Sequence, residues 1–449
     1  MRSLFGGGGV GRRPGSPAGE GSGTVRRIVV FRQGSRIDLG EIRRMGGVVL
    51  RRLSLIHAVV AEFAEEGALA ALDRRGDVLR VDEDLPLRLV GHQGEEGAGE
   101  EDPWEAGGGR SPGPPAPAGL RAWLRGACSR LGRLRPGWPE RAEPWRGPRP
   151  PLPPAPAGGW QPVRGDAMLP WGVLRVRAPE AWRWSQGEDV HVAVVDTGVD
   201  LNHPALAGRI GPGVNLLHPG TPPADDNGHG THVAGVIAAH GALLGVAPRV
   251  WIHPVKALDR EGGGRLSHLV LGLEWCLQHR IQVVNLSLGS WTENPTMREA
   301  VRAASRSMVL VCAAGNAGPV PGTVLFPARY PEVLAVGAID RQNRVARFSS
   351  RGPELDLVAP GVDILSLWPG GGTRRLSGTS MAAPHASGSA ALLLARGVPP
   401  REVPGRLRQA AQPVGTGDPR EEGAGCVDAF GAVQAWLAGR RGAALTEAL

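Results

Sequence analysis

The 449-residue chain reads as an α/β protein, a doubly wound and mostly parallel sheet with helices on both faces (three layers, αβα), preceded by a small α+β unit. Three observations predict it. Beyond residue 166, nearly continuous apolar runs recur at 190–195, 250–255, 283–288, 308–313 and 333–338. Strands covered on both faces read this way, whereas a half-exposed strand alternates. Helical stretches at 231–239, 266–279 and 294–307 lie between these runs, and alternating β and α elements argue for a parallel sheet. Finally, residues 91–165 change character, which separates an N-terminal zone from the rest.

In that N-terminal zone the short apolar runs 28–31, 48–50, 56–63 and 78–81 alternate with helical patches at 37–45 and 65–74. The order strand, helix, strand, strand, helix, strand fits a split βαβ unit of the ferredoxin-like kind. The expected organisation is a disordered tail (1–23), this small domain (24–90), a linker (91–165), a large domain (166–438) and a C-terminal tail (439–449). The linker opens on Glu95, Glu96, Glu100, Glu101 and Asp102 and continues in Pro- and Gly-rich sequence, which buries too little apolar surface to offset ordering entropy. Within it, residues 120–134 carry Trp123, Leu124, Leu131 and Leu134 among arginines. A short amphipathic helix and solvated disorder both stay open there.

The net charge of +8 raises nucleic acid or an anionic membrane as a partner. However, Lys256 is the only lysine, Tyr330 the only tyrosine, and arginine is spread along the whole chain, so no focused nucleic-acid stripe is expected. Cys128, Cys276, Cys312 and Cys426 are far apart and form no C-x-x-C pair, which excludes a zinc ribbon or dithiol motif and leaves buried thiols. Residues 1–27 contain no apolar run of signal-peptide length, and no segment reaches the roughly 18 apolar residues of a membrane span. No membrane span and a monomer are expected.

Chemistry-bearing groups in open α/β sheets collect at the carboxyl ends of strands. Asp196 stands there, directly after the run 190–195, in Val-Asp-Thr-Gly-Val-Asp. His229 lies in Asn-Gly-His-Gly-Thr-His-Val-Ala-Gly, whose small residues let a helix lie close to the sheet. A zinc reading of His229 with His232 lacks the glutamate of the metalloprotease spacing. Ser380 lies in Ser-Gly-Thr-Ser-Met-Ala-Ala-Pro-His, with Pro384 suited to a first helical turn, so its hydroxyl sits at a helix N-terminus where free N–H groups favour negative charge. A serine hydroxyl needs a base and a carboxylate that orients the base, and these residues supply all three roles.

The three phrases resemble the active-site blocks of the subtilisin-like serine proteases, the subtilases, over about residues 166–437. The resemblance implies that Asp196 orients His229, that His229 acts as general base and then acid, and that Ser380 forms an acyl-enzyme, with His232 and His385 structural. It implies Asn316, in Ala-Ala-Gly-Asn-Ala-Gly, as an oxyanion donor. It also implies that Ser287, Leu288 and Gly289 together with Ala313, Ala314 and Gly315 bind an extended peptide by strand addition, with Leu325 at the bottom of the primary pocket. The N-terminal unit then resembles the family's propeptide, a folding chaperone and temporary inhibitor, although here a long linker follows it. Protein or peptide substrates are expected, and no cofactor. The family's tight calcium site is expected to be absent: residues 240–244 form a short stretch without Asn or Asp, and Ala205 stands where a carboxylate would. A weak cation site near Ala328, Tyr330, Val333 and Asp356 is allowed. Location stays open between extracellular, by resemblance, and cytoplasmic, for want of a leader. The rival readings are a catalytically silent subtilase acting as a scaffold, and the acid-acting sedolisins, against which His229 in its full motif argues.

Overall fold

The computed structural model describes residues 24–64, 66–90 and 167–446. The tail at 1–23 and the linker at 91–165, with Cys128, lie outside the described residues.

The N-terminal unit runs β1 (Val25–Phe31), α1 (Leu39–Arg44), β2 (Gly47–Leu53), β3 (Ala58–Phe63), α2 (Glu66–Asp73) and β4 (Val78–Glu83). Its sheet has the order β2-β3-β1-β4, with every neighbouring pair antiparallel. Side chains alternate across the pleat. Val29, Phe31, Val59, Ala61 and Phe63 therefore pack on Ile42 of α1 and Leu72 of α2, while Ile28, Val30, Ala58 and Val60 join the core of the following domain. Both faces of β1 and β3 are covered, which is why these two strands read as unbroken apolar runs.

The large domain is built on seven strands, β6 (His191–Asp196), β7 (Val214–Asn215), β8 (Trp251–Lys256), β10 (Val283–Leu286), β12 (Val309–Ala313), β13 (Leu334–Ile339) and β14 (Leu357–Pro360). Their order is β14-β13-β12-β10-β6-β8-β7, with all pairs parallel. Helices α3 (His229–Ala238) and α6 (Thr379–Leu394) cover one face, where Val233, Ile237, Ala386 and Ala390 meet Val192, Val194, Val283 and Val311. Helices α4 (Leu266–Gln278) and α5 (Pro295–Ser305) cover the other, where Leu269, Leu273, Met297 and Val301 meet Ala193, Val195, Val284 and Leu310. This is the three-layer architecture. Strands β8 and β10 flank β6 on opposite sides, so the winding reverses at β6 and a crevice opens at the carboxyl ends of β6, β10 and β12.

Several elements differ from the expectation. Helix α3 begins at His229, two residues before the expected 231. The run 283–288 divides: β10 stops at Leu286, and Leu288–Gly289 forms β11, in another sheet with β5 (Pro86–Leu89) and β9 (Gly263–Arg265). Strand β5, β14 and the hairpin of β15 (Ile364–Trp368) and β16 (Gly372–Leu376) are not foreseen at all. Among the described residues no helix is long and apolar enough to cross a membrane.

The N-terminal unit grips the large domain at two helix N-termini. Helix α4 receives no cap hydrogen bond from the side chain of its own N-cap, Arg265. Instead the Asp84 carboxylate, 2% exposed, accepts from the Ser267 N–H and the Ser267 hydroxyl, both at 2.8 Å. At α5 the Thr296 hydroxyl donates to Asp82 at 2.6 Å, and Arg80 pairs with Glu299 at 2.8 Å. At α4 the Asp84 charge offsets both an otherwise unpaired N–H group and the positive helix end, while at α5 the Asn294 side chain accepts from the Thr296 and Met297 N–H groups and Asp82 adds negative charge near that end. Replacing a helix-capping carboxylate by alanine costs about 0.5–2 kcal/mol. In the full-length chain carrying Ser380→Ala, Asp84→Ala is expected to lower the unfolding free energy by that amount in urea titration, whereas an exposed control such as Asp73→Ala should leave it unchanged. Equal midpoints for both would show that the cap contributes nothing.

Candidate active site

The crevice is lined first by Asp196, the last residue of β6 and fully buried. Its carboxylate accepts from the Thr197 N–H at 2.8 Å and from His229 Nδ1, at 2.8 Å to one oxygen and 3.0 Å to the other. A carboxylate only accepts, so Nδ1 carries the hydrogen and Nε2 is left as the acceptor. Nε2 has no hydrogen-bond partner among the described residues. Desolvation pulls the His229 pKa down, but the charge of Asp196, its hydrogen bond and the charge of Asp225 together hold it above the ordinary 6.5.

Two glycines let His229 reach this position. Gly228 has φ +109, and a Cβ there would lie 2.3 Å from the Trp368 ring; a Cβ on Gly230 would lie 2.0 Å from the Gly198 carbonyl oxygen. Helix α3 can therefore start flush against the loop after β6.

Ser380 is the second residue of α6 and is 1% exposed. Its Oγ donates to the carbonyl oxygen of Val90 at 3.3 Å. Asn316 follows β12. Its Oδ1 accepts from the Thr379 N–H at 2.9 Å and from the Thr379 hydroxyl at 2.8 Å, which turns Nδ2 toward the same Val90 oxygen, 3.4 Å away. Val90 itself is 3% exposed.

The residues leading to Val90 form β5, laid antiparallel between β11 and β9. Leu89 stands opposite Leu288 and Arg88 opposite Gly289, while Pro86, Leu87 and Arg88 face Arg265, Gly264 and Gly263. The Val90 N–H donates to the Ser287 carbonyl at 3.2 Å and the Leu89 N–H to that of Gly262 at 2.9 Å. Ser287, Leu288 and Gly289 thus hold an extended segment, while Ala313 ends β12 and Ala314 and Gly315 follow it. Leu325 joins the two stretches. Its N–H donates to the Ala314 carbonyl at 2.8 Å, and Cβ atoms built on Gly289 and Gly315 would lie 3.1 and 3.0 Å from its side chain.

Other expected residues have different surroundings. His232 Nε2 lies 2.9 Å from the Ile364 carbonyl, and His385 Nδ1 lies 2.8 Å from that of Met381. Burial pushes the His385 pKa down to about 4. Near the allowed cation site, the Asp356 carboxylate is occupied by the Ala335 N–H at 2.8 Å and Arg408 at 2.6 Å, and the Tyr330 hydroxyl donates to the Asn294 carbonyl at 3.2 Å. Among the described residues no group of three or more His, Cys, Asp or Glu side chains is arranged to hold a metal ion.

Sequence reasoning missed Asp225. Its carboxylate accepts from the Thr197 hydroxyl (2.8 Å), the Asn227 and Gly228 N–H groups (3.1 and 2.9 Å), and the N–H and hydroxyl of Thr231 (2.9 and 2.6 Å). Its place four residues before His229 in a loop was the only available signal. Lys256 was noted only as the single lysine. It is 3% exposed and donates to the Thr197 carbonyl (2.5 Å), Asp226 (2.6 Å) and the Leu258 carbonyl (3.2 Å).

A helix-N-terminal hydroxyl and a side-chain amide aimed at one carbonyl oxygen, with an imidazole backed by a buried carboxylate lining the same crevice, are the kinds of group that serine hydrolases use. Residues 187–425 match the model of the subtilase family. Subtilisin Savinase of Lederbergia lenta is 47% identical over 231 residues, 50% of this chain and 84% of that protein. An alkaline protease of Alkalihalobacillus alcalophilus is 47% identical over 231 residues, 59% of its length, and the M-protease of Shouchella clausii is 43% identical over 272 residues, 70% of its length. The chain belongs to the subtilase family and is thereby a serine-type endopeptidase.

The electrostatics of the site carry a test. With the Asp196 charge removed and burial unchanged, the His229 ring should lose most of its affinity for a proton. Ring resonances of His229 followed against pH should titrate above 6.5 in the natural chain and clearly below that in Asp196→Asn. Identical titrations would mean that the carboxylate does not set the protonation of His229.

Proposed function

We propose that this subtilase hydrolyses peptide bonds through an acyl-enzyme on Ser380, and that it is made as a zymogen whose N-terminal unit is both inhibitor and first substrate. The observation that carries the reading is the Val90 carbonyl oxygen, which receives hydrogen bonds from both Ser380 Oγ and Asn316 Nδ2 at the end of a strand held on both sides. Val90–Gly91 is then the bond to be cut.

In the proposed reaction, Ser380 Oγ attacks the Val90 carbonyl carbon and its proton passes to His229 Nε2. The oxyanion is held by Asn316 Nδ2 and the Ser380 N–H at the start of α6. Asp196 stabilises the imidazolium without taking its proton. Collapse breaks the C–N bond, and Nε2 returns the proton to the departing Gly91 nitrogen. A water then enters by the same base catalysis, releases Val90 as a carboxylate and restores the Ser380 hydroxyl. His229 must be neutral to begin, so its raised pKa places the acid limb of activity above pH 6.5.

The Asp84 cap on α4 and the Asp82–Thr296 hydrogen bond at α5 support the inhibitor role, because they fasten the N-terminal unit to the large domain independently of the bond to be cut. Leu325, between the two walls of the primary pocket, supports a preference for small or medium apolar residues before the cut bond, and the residue found there is a valine.

Purified wild-type chain is expected to release an N-terminal fragment ending at Val90, seen by mass spectrometry, while Ser380→Ala stays uncut at that bond. Maturation of purified Ser380→Ala, or a wild-type fragment ending elsewhere within 24–90, contradicts the proposal. Overfilling a close-packed site costs about 1–3 kcal/mol, so wild type should cut after Val or Leu roughly ten- to a hundredfold better than after Phe, and Leu325→Gly should narrow that gap. A peptide series varied only at that position decides it, and a ranking unchanged by Leu325→Gly defeats the steric account.

A further inference from the structure

The crevice does not end at Val90. A cavity of about 260 Å³ opens there, with Val90, Asn227, His229, Trp368 and Leu376 among its lining residues and Glu261 and Gly262 on the side of Leu89. Trp368 and Leu376 belong to the β15–β16 hairpin, which does not pair with β5. Val90, directly after β5, thus borders a cavity that has Arg88 and Leu89 of β5 on one side and this hairpin on another.

The hairpin register fixes which side chains share a face. Trp368 stands opposite Gly372, Ser366 opposite Arg374 and Ile364 opposite Leu376. Opposed residues share a face, and the period along each strand is two, so Arg374 lies on the same face as the cavity-lining Trp368 and Leu376. The Arg374 guanidinium stacks on the Trp368 ring, 4.6 Å from its centroid. A guanidinium stacked on an indole keeps its in-plane N–H edges free for a carboxylate. Arg375, on the opposite face, is already paired with Asp363 at 3.0 Å, whereas Arg374 is exposed and has no ion pair among the described residues. The cavity's one lining carboxylate, Glu261, sits on the Leu89 side and is paired with Arg260 at 2.6 Å.

The chain's own sequence beyond Val90 has the complementary charge. Residues 91–102 contain Glu95, Glu96, Glu100, Glu101 and Asp102 and no lysine or arginine. Glu95 is the fifth residue after Val90, and five extended residues span about 17 Å.

We propose that Arg374, stacked on Trp368, makes this endopeptidase select substrates with acidic residues on the C-terminal side of the cut bond, within about the second to fifth positions. The inference rests on the catalytic reading of Ser380 given above and adds the class of substrate. An exposed cation without a competing partner attracts a carboxylate and repels an ammonium, and both effects weaken as salt screens them.

The test uses full-length chain after release of its N-terminal fragment, and peptides with the sequence of residues 86–90 followed by Gly and four positions that are all Ala, Glu-containing or Lys-containing. Wild type at low salt should show kcat/KM for the Glu peptide about fivefold or more above that for the Lys peptide, the ratio should approach one in 1 M salt, and Arg374→Glu should invert it while cutting the Ala peptide at the wild-type rate. An equal Glu-to-Lys ratio in wild type and Arg374→Glu, with the Ala peptide cut by both, overturns this inference alone. Failure of wild type to cut the Ala peptide overturns the catalytic reading and this inference with it.

Discussion

The site depends on one carboxylate that takes no part in the proposed chemistry. Asp225 accepts hydrogen bonds from Thr197 on one side and from residues 227, 228 and 231 on the other. It joins the loop leaving β6, which carries Asp196, to the first turn of α3, which carries His229. The Gly230 N–H closes the same junction onto the Thr197 hydroxyl at 3.1 Å, and the Lys256 ammonium holds the Thr197 carbonyl from below. Two side chains on different elements keep a 2.8 Å contact only if the backbones beneath them cannot shift. Charge-assisted bonds from a carboxylate and an ammonium are the strong kind available for that purpose.

The same use of unpaired backbone groups unites the two domains. The N-terminal unit does not rely on apolar contact alone; it inserts β5 between β9 and β11 of the large domain, caps the N-terminus of α4 with Asp84 and binds the Thr296 hydroxyl of α5 with Asp82. Each contact satisfies polar groups that would otherwise face water or lie unpaired. A segment held in this way needs little specificity in its own side chains along the strand, because main-chain bonds carry the strand.

Under the proposed function, specificity falls to side chains at the two ends of the cleft. On one side of the bond proposed to be cut, Leu325 lies against Gly289 and Gly315 and would limit volume. On the other side the β15–β16 hairpin presents an aromatic ring carrying a stacked guanidinium. Volume selection is short-ranged and insensitive to salt, and charge selection is longer-ranged and sensitive to it, so the two can act on one substrate without interfering.

The sequence alone determined what depends on local pattern. Strands buried on both faces announce themselves as apolar runs, and the β6, β8, β12 and β13 runs were legible to within a residue or two. The phrases around Asp196, His229, Asn316 and Ser380 were legible because each couples a reactive side chain to the glycines its approach requires. Other features carry no local signature. Residues 86–89 have the composition of a loop, and become β5 only because β9 and β11 stand on either side; that is also what brings Val90 to Ser380. Asp225 reads as an ordinary turn residue until the fold folds Thr197 and Thr231 around it. Arg374 is one arginine among many until the hairpin register sets it on Trp368. The tertiary structure decided these, because hydrogen-bond partners and charge neighbours distant in sequence are chosen by how the chain is wound and not by the residues beside them.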